Sequence, residues 1–155
     1  MRKEGEYHMT PMKKRILPLI GAAIFSALAV VLWAQPAVPL RTLPFSAARK
    51  AGPTLYVSGQ VPRTASGQDV RESVEAETRQ VMDNIGRILK ENGYTFDDVV
   101  NATVYLKDIK DYPEMNKVYA SYFKNGFPAR ATVGGVEIVF GFRVEISCVA
   151  YKTEK

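Results

Sequence analysis

At 155 residues, 46% of them hydrophobic and 24% charged, the chain is long enough for one domain with a proper core and too short for two. Of the formal charge of +5, a net +3 sits in the first 34 residues (Arg2, Lys3, Lys13, Lys14 and Arg15 against Glu4 and Glu6), and the +2 left for the rest is no electrostatic footprint for nucleic acid. The single cysteine, Cys148, excludes an intramolecular disulfide, and the single histidine, His8, lies near the N-terminus, so no metal-ligand spacing exists.

In chain order, Lys13-Lys14-Arg15 precede an uncharged, mostly apolar run from Ile16 to Ala34, the basic and hydrophobic regions of an export signal. Residues 1–34 are therefore expected to be either an export signal or, since the run is long enough to span a bilayer, a membrane anchor. Ala34 offers a small residue for cleavage, while Leu32 fits the minus-three position poorly. Basic residues ahead of the run keep the N-terminus cytoplasmic, so the domain is expected to be periplasmic or otherwise extracytoplasmic. Met9 and Met12 are alternative starts. A Pro-containing linker, 35–42, leads into a domain at 43–152.

Leu43 to Phe45 and Ala47 to Lys50 are expected as edge strands, and Thr54 to Gln60 is a better one, with Leu55 and Val57 inward and Tyr56 and Ser58 opposite. After a turn or loop at 62–68, Val74, Val81, Ile85, Ile88 and Leu89 recur at helical spacing up to Glu91, and Asn92-Gly93 supplies the stop. Asp97 to Lys107 reads as a strand with Val100, Ala102, Val104 and Leu106 buried. A second helix opens at Asp111-Tyr112-Pro113-Glu114, an acidic cap with a glutamate three residues on, and runs to Asn125-Gly126 with Met115, Val118, Tyr119, Tyr122 and Phe123 as its apolar stripe. Two strands follow, joined by a glycine-containing connection. Ala129, Ala131 and Val133 alternate with Arg130 and Thr132, and Val144, Ile146, Cys148 and Ala150 alternate with Glu145 and Ser147. Cys148 reads as a small buried hydrophobe.

This order predicts an α+β fold in which two helices cover one face of a mixed sheet. The other face is expected to collect Tyr56, Ser58, Asn101, Thr103, Tyr105, Arg130, Thr132, Glu145 and Ser147, too mixed and too aromatic for a plain solvated surface. Arg130 and Glu145 lie inside apolar strands, where an isolated charge is costly unless it is paired, solvated or used. Two readings stay open at this point, a structural ion pair and a pair kept for a ligand.

Several stretches resemble the RidA (YjgF-type) family of enamine/imine deaminases. They are Pro128-Ala129-Arg130 with Val144-Glu145-Ile146 about fifteen residues on, Ser58-Gly59-Gln60 ending a strand, the helix around Glu77 to Asn84, and the helix around Asn116 to Phe123. The likeness spans roughly residues 40 to 151. It implies a chorismate-mutase-like α+β fold assembled as a homotrimer with three ligand clefts between subunits, needing no metal or organic cofactor. The ligand it implies is a small 2-imino acid, released as a 2-keto acid. Arg130 would clamp the substrate carboxylate and Glu145 would orient or activate water, with Ser58, Gly59 and Asn116 at the pocket.

Two departures stand out. Phe45, in Pro44-Phe45-Ser46-Ala47, replaces the tyrosine expected at the cleft wall, and Thr132 stands where many members carry cysteine. Three functions follow: imine hydrolysis, a non-catalytic or holdase-like trimer that captures small carboxylates, and an endoribonuclease. The weak charge and the lack of a histidine in the domain count against the last. The membrane enters only through residues 16–34 if they are retained.

Overall fold

The computed structural model describes residues 44–153. The expected export signal or anchor at 1–34 and the linker at 35–42 lie outside the described residues, as does Leu43 of the first expected edge strand. Five strands form one sheet: β1 (Ala48–Ala51), β2 (Thr54–Gln60), β3 (Val99–Leu106), β4 (Ala129–Gly134) and β5 (Val144–Tyr151), in the order β1-β2-β5-β3-β4. Every neighbouring pair is antiparallel except β3 and β4, which run parallel. A parallel pair needs a crossover, and helix α2 (Tyr112–Ala120) lies in the connection from β3 to β4. Helix α1 (Val74–Glu91) joins β2 to β3. Among the described residues no helix is long and apolar enough to cross a membrane.

The predicted periodicities account for the core. Val74, Val81, Met82, Ile85, Ile88 and Leu89 of α1 pack with Leu55, Val57, Ala102, Val104, Leu106, Val144, Ile146, Cys148 and Ala150 from one face of the sheet and with Met115 and Tyr119 of α2. Ser73 caps α1, its Oγ accepting a 3.1 Å hydrogen bond from the Ala76 N–H. At the other end Gly93 takes φ +84°, a left-handed conformation open to glycine at no steric cost. Burial in the β5 strand pushes the Cys148 thiol up to about 12, which leaves it an inert core group.

The expected edge strand at Leu43 to Phe45 is not formed at its described residues, because Pro44 and Phe45 make a bend. Four further expectations need correction. Val99, not Val100, is buried at the start of β3, because a bulge between Val99 and Asn101 breaks the alternation and leaves Val100 about half exposed. Helix α2 ends at Ala120 rather than near Asn125, so Tyr122 and Phe123 reach the core from beyond it as partly buried rings. Asp111 does not cap α2 with its side chain; its carboxylate instead takes two hydrogen bonds from the Arg143 guanidinium.

The last correction concerns β4 and matters most. In sequence β4 and β5 are successive, yet β3 lies between them, and β4 registers with β3 so that Arg130 stands beside Ala102, Thr132 beside Val104 and Gly134 beside Leu106. Ala102, Val104 and Leu106 point toward the helices, so Arg130 and Thr132 do too. The residues sharing the open face with Tyr105, Thr103 and Asn101 are Val133, Ala131 and Ala129. Small side chains on an edge strand carry little hydrophobic drive, and the helix that covers the strand decides which face turns inward.

Candidate functional site

On the helix side of β4, Arg130 Nη2 donates to Asn116 Oδ1 at 2.7 Å and to the Tyr112 hydroxyl at 3.2 Å, both on α2. Its guanidinium carbon sits 4.6 Å from the Tyr119 ring centroid and 5.7 Å from that of Tyr112, within reach of cation–π attraction. No carboxylate among the described residues pairs with it. Nε and Nη1 donate to no group among the described residues, so Arg130 is a half-buried guanidinium oriented by a helix and two rings with donors to spare. Such a planar fork suits a carboxylate.

Two shallow clefts meet at this residue. One of about 360 Å³ is lined by Asn116, Tyr119, Phe127, Pro128 and Arg130; the other, about 500 Å³, by Ile109, Tyr112, Pro113, Arg130 and Thr132. Tyr119 contributes a buried hydroxyl with no hydrogen-bond partner among the described residues, and burial raises its pKa to about 12. The phenol beside Arg130 therefore stays protonated at any physiological pH.

Glu145 lies elsewhere. It pairs with Tyr105 across β3 and β5 on the open face, half-buried, and no hydrogen bond or ion pair to its carboxylate occurs among the described residues. Loss of water contact raises its pKa above the ordinary glutamate value of 4.5. Because folding favours the protonated form, this contribution to stability is full below the ordinary value and fades as pH rises through the raised one. The carboxylate lies against the backbone of β2. A Cβ placed on Gly59 would fall 1.9 Å from Glu145 Oε1, so only glycine there lets the carboxylate occupy this position.

The space around Glu145 is a cleft of about 770 Å³ whose lining includes Phe45, Ser58, Gly59, Val139 and Phe140. The Ser58 hydroxyl donates to the Ser46 carbonyl and the Ser58 N–H to the Ala47 carbonyl at 3.0 Å, which fastens the Pro44 to Ala47 segment beside β2 and leaves Phe45 exposed over the cleft. On the far side, the loop entering β5 is pinned two residues before Glu145. Glu77, 2% exposed, accepts the Arg143 N–H at 2.8 Å, and Asp111 holds the Arg143 guanidinium. Desolvation raises the pKa of Glu77, backbone hydrogen bonds from the β5 entry partly offsetting it.

The residues expected at the site therefore separate into two groups. Phe45, Ser58, Gly59 and Glu145 share one cleft, and Asn116, Arg130 and Thr132 share the other region. The ion-pair reading of Arg130 with Glu145 fails within the chain, because they occupy opposite faces with β3 between their strands. Sequence reasoning missed Tyr119 as a ring under Arg130, assigning it to the core stripe alone. It also missed Val139 and Phe140, which lie in a connection without periodicity; the only signal was two phenylalanines around a glycine, Phe140-Gly141-Phe142.

Residues 37–152 match the family described as Endoribonuclease L-PSP. A RutC family protein of Pyrococcus horikoshii is 43% identical over 110 residues, covering 70% of this chain and 87% of that protein. The 2-iminobutanoate/2-iminopropanoate deaminase of Bos taurus is 45% identical over 108 residues, covering 69% of this chain and 79% of that one. Among solved structures, a protein of unknown function of the conserved Rid family from Yersinia pestis superimposes with a TM-score of 0.69 at 37% identity, covering 72% of this chain and 90% of that chain. With the mixed sheet and its two covering helices already in place, these matches identify the chain as a member of the Endoribonuclease L-PSP family, the YjgF/RidA group of proteins.

Proposed function

We propose that the protein hydrolyses 2-imino acids to 2-keto acids and ammonia in sites built from two protomers of a homotrimer. The observation that carries this reading is the pair of half-buried charged side chains, Arg130 and Glu145, neither ion-paired among the described residues, on opposite faces of one sheet. Each is positioned as if for a ligand and neither completes a site alone. A head-to-tail contact that sets the Arg130 region of one protomer against the Glu145 cleft of the next would join them, and repeating that contact closes a ring. Three protomers is the number the family resemblance implies.

In such a site Arg130 fixes the substrate carboxylate. Water adds to the imine carbon as Glu145 takes one of its protons; the nitrogen is protonated, the carbon–nitrogen bond breaks and ammonia leaves, while the hydroxyl loses its proton to form the keto group. Burial that raises the Glu145 pKa makes its carboxylate a better proton acceptor than an ordinary glutamate, which supports this role. The relatives' deaminase names support the same reading. A ligand-capturing trimer would use the same groups without turnover.

The deciding experiment generates 2-iminopropanoate in situ with an amino-acid oxidase and follows keto-acid release by the purified protein, by Phe45→Tyr, and by Phe45→Tyr combined with Glu145→Gln. Phe45 is 60% exposed beside Ser58 and Glu145, so a new hydroxyl meets water or substrate and costs little in folding. Phe45→Tyr is expected to raise the rate roughly tenfold, for one transition-state hydrogen bond of about 1.4 kcal/mol. No release by the first two proteins removes the deaminase reading for this substrate, and activity surviving in the third removes the role of Glu145.

We also propose export through residues 1–34, motivated by Lys13-Lys14-Arg15 and the Ile16 to Ala34 run. Cell fractionation is expected to find the domain outside the cytoplasm; full-length chain in the soluble cytoplasmic fraction would remove this proposal.

A further inference from the structure

The cleft beside Glu145 carries a wall that imine hydrolysis itself does not need. Phe45, Val139 and Phe140 are 60%, 58% and 64% exposed, and all three line this one cleft. Exposed large apolar side chains scattered singly need no explanation, but three converging on a pocket with a single unpaired carboxylate do.

Phe140 is held there against its own backbone preference. At φ +60° and ψ +10° it is the one non-glycine residue with positive φ among the described residues, a conformation uncommon for a bulky side chain. Strain of this kind persists only where surrounding structure imposes it, and it clusters at ligand clamps. The surroundings here are specific. Arg71 Nη2 donates to the Phe140 carbonyl at 2.9 Å, and the Arg63 guanidinium lies 4.2 Å from the Phe140 ring centroid. Asp69 joins the two arginines at 2.6 and 2.9 Å. Asn84 of α1, itself 7% exposed, donates to the Val61 and Arg63 carbonyls at 3.1 and 2.9 Å, tying this platform to the core. Arg63 also lines the cleft, but Asp69 already neutralises it and its flat face is spent on Phe140, so it offers a stacking platform more than a second anion site.

We infer that this cleft selects ligands with an aromatic side chain, making aromatic 2-imino acids the substrate class, and that Phe140 is the residue that selects them. Phe45 and Val139 extend the apolar wall against which a ring would pack. Aromatic pairs prefer offset or edge-to-face contact, and a ring already stacked on Arg63 is fixed in place to offer it. The inference rests on the proposed deaminase function for the imine, though not for the side chain.

The test measures binding and turnover separately. Calorimetric titration of the purified protein with phenylpyruvate, pyruvate and oxaloacetate, each a 2-keto acid product, reads the side-chain preference without any chemistry. Phenylpyruvate is expected to bind at least tenfold more tightly than the other two. Phe140→Asn removes the ring while keeping a residue that tolerates positive φ, and is expected to cut that preference about tenfold. The same variant should lower the ratio of kcat/KM for 2-imino-3-phenylpropanoate over 2-iminopropanoate by a similar factor. Equal affinities in the wild type, tighter oxaloacetate, or a preference that survives in Phe140→Asn would overturn the inference, as would loss of the trimer in that variant with selectivity unchanged. Selective binding with no turnover of either imine would instead overturn the deaminase function and leave the aromatic selectivity of the cleft standing.

Discussion

Arg130→Ala is expected to lower kcat/KM for 2-imino acid hydrolysis by roughly 30- to 5,000-fold, the cost of about 2–5 kcal/mol for removing one partner from a hydrogen-bonded charge pair. The loss should come with folding largely intact. Arg130 stacks on Tyr119 and bonds Asn116 and Tyr112, so truncation costs about 1–2 kcal/mol of stability. Arg130→Lys sharpens the test, because lysine keeps the charge but lacks the planar fork. It should recover only part of the activity, with the defect mainly in KM if the guanidinium holds the ground-state carboxylate. Thermal unfolding measured beside initial rates separates the two roles. A variant that unfolds, with a wild type that has no imine hydrolysis to lose, would return Arg130 to a structural part.

A second large effect follows from the proposed sharing of each site between two protomers. Arg130→Ala and Glu145→Gln should each keep only a small residue of activity alone, yet co-refolding the two variants in equal amounts is expected to restore about one quarter of wild-type activity. In a ring of heterologous contacts each site takes its arginine region from one protomer and its glutamate cleft from the next, and random mixing pairs an intact Arg130 with an intact Glu145 at about one interface in four. A site contained within one protomer gives no recovery, because every chain then carries one lesion. Light scattering on the same samples fixes the assembly. A monomer at micromolar concentration, or zero activity in mixed trimers, would sink the shared site.

What the sequence by itself determined was local and periodic. The helical spacing from Val74 to Leu89 and the Asn92-Gly93 stop defined α1, and alternation in β2, β3 and β5 identified nearly all of the core, since a strand with one strongly apolar face can turn only that face inward. It also singled out Arg130 and Glu145, because charges inside apolar alternation stand out whatever the fold. Alternation in β4 showed two faces but not which was covered. Alanines, a threonine and a valine bury too little area to set the orientation, so the parallel register with β3 and the overlying α2 decided it, and with it the separation of Arg130 from Glu145. The bulge at Val99 and the left-handed Phe140 were equally invisible. Each is imposed by contacts from residues distant in the chain, β5 against β3 in one case and Arg63 with Arg71 in the other, and no local pattern encodes a conformation that only the assembled neighbours hold in place.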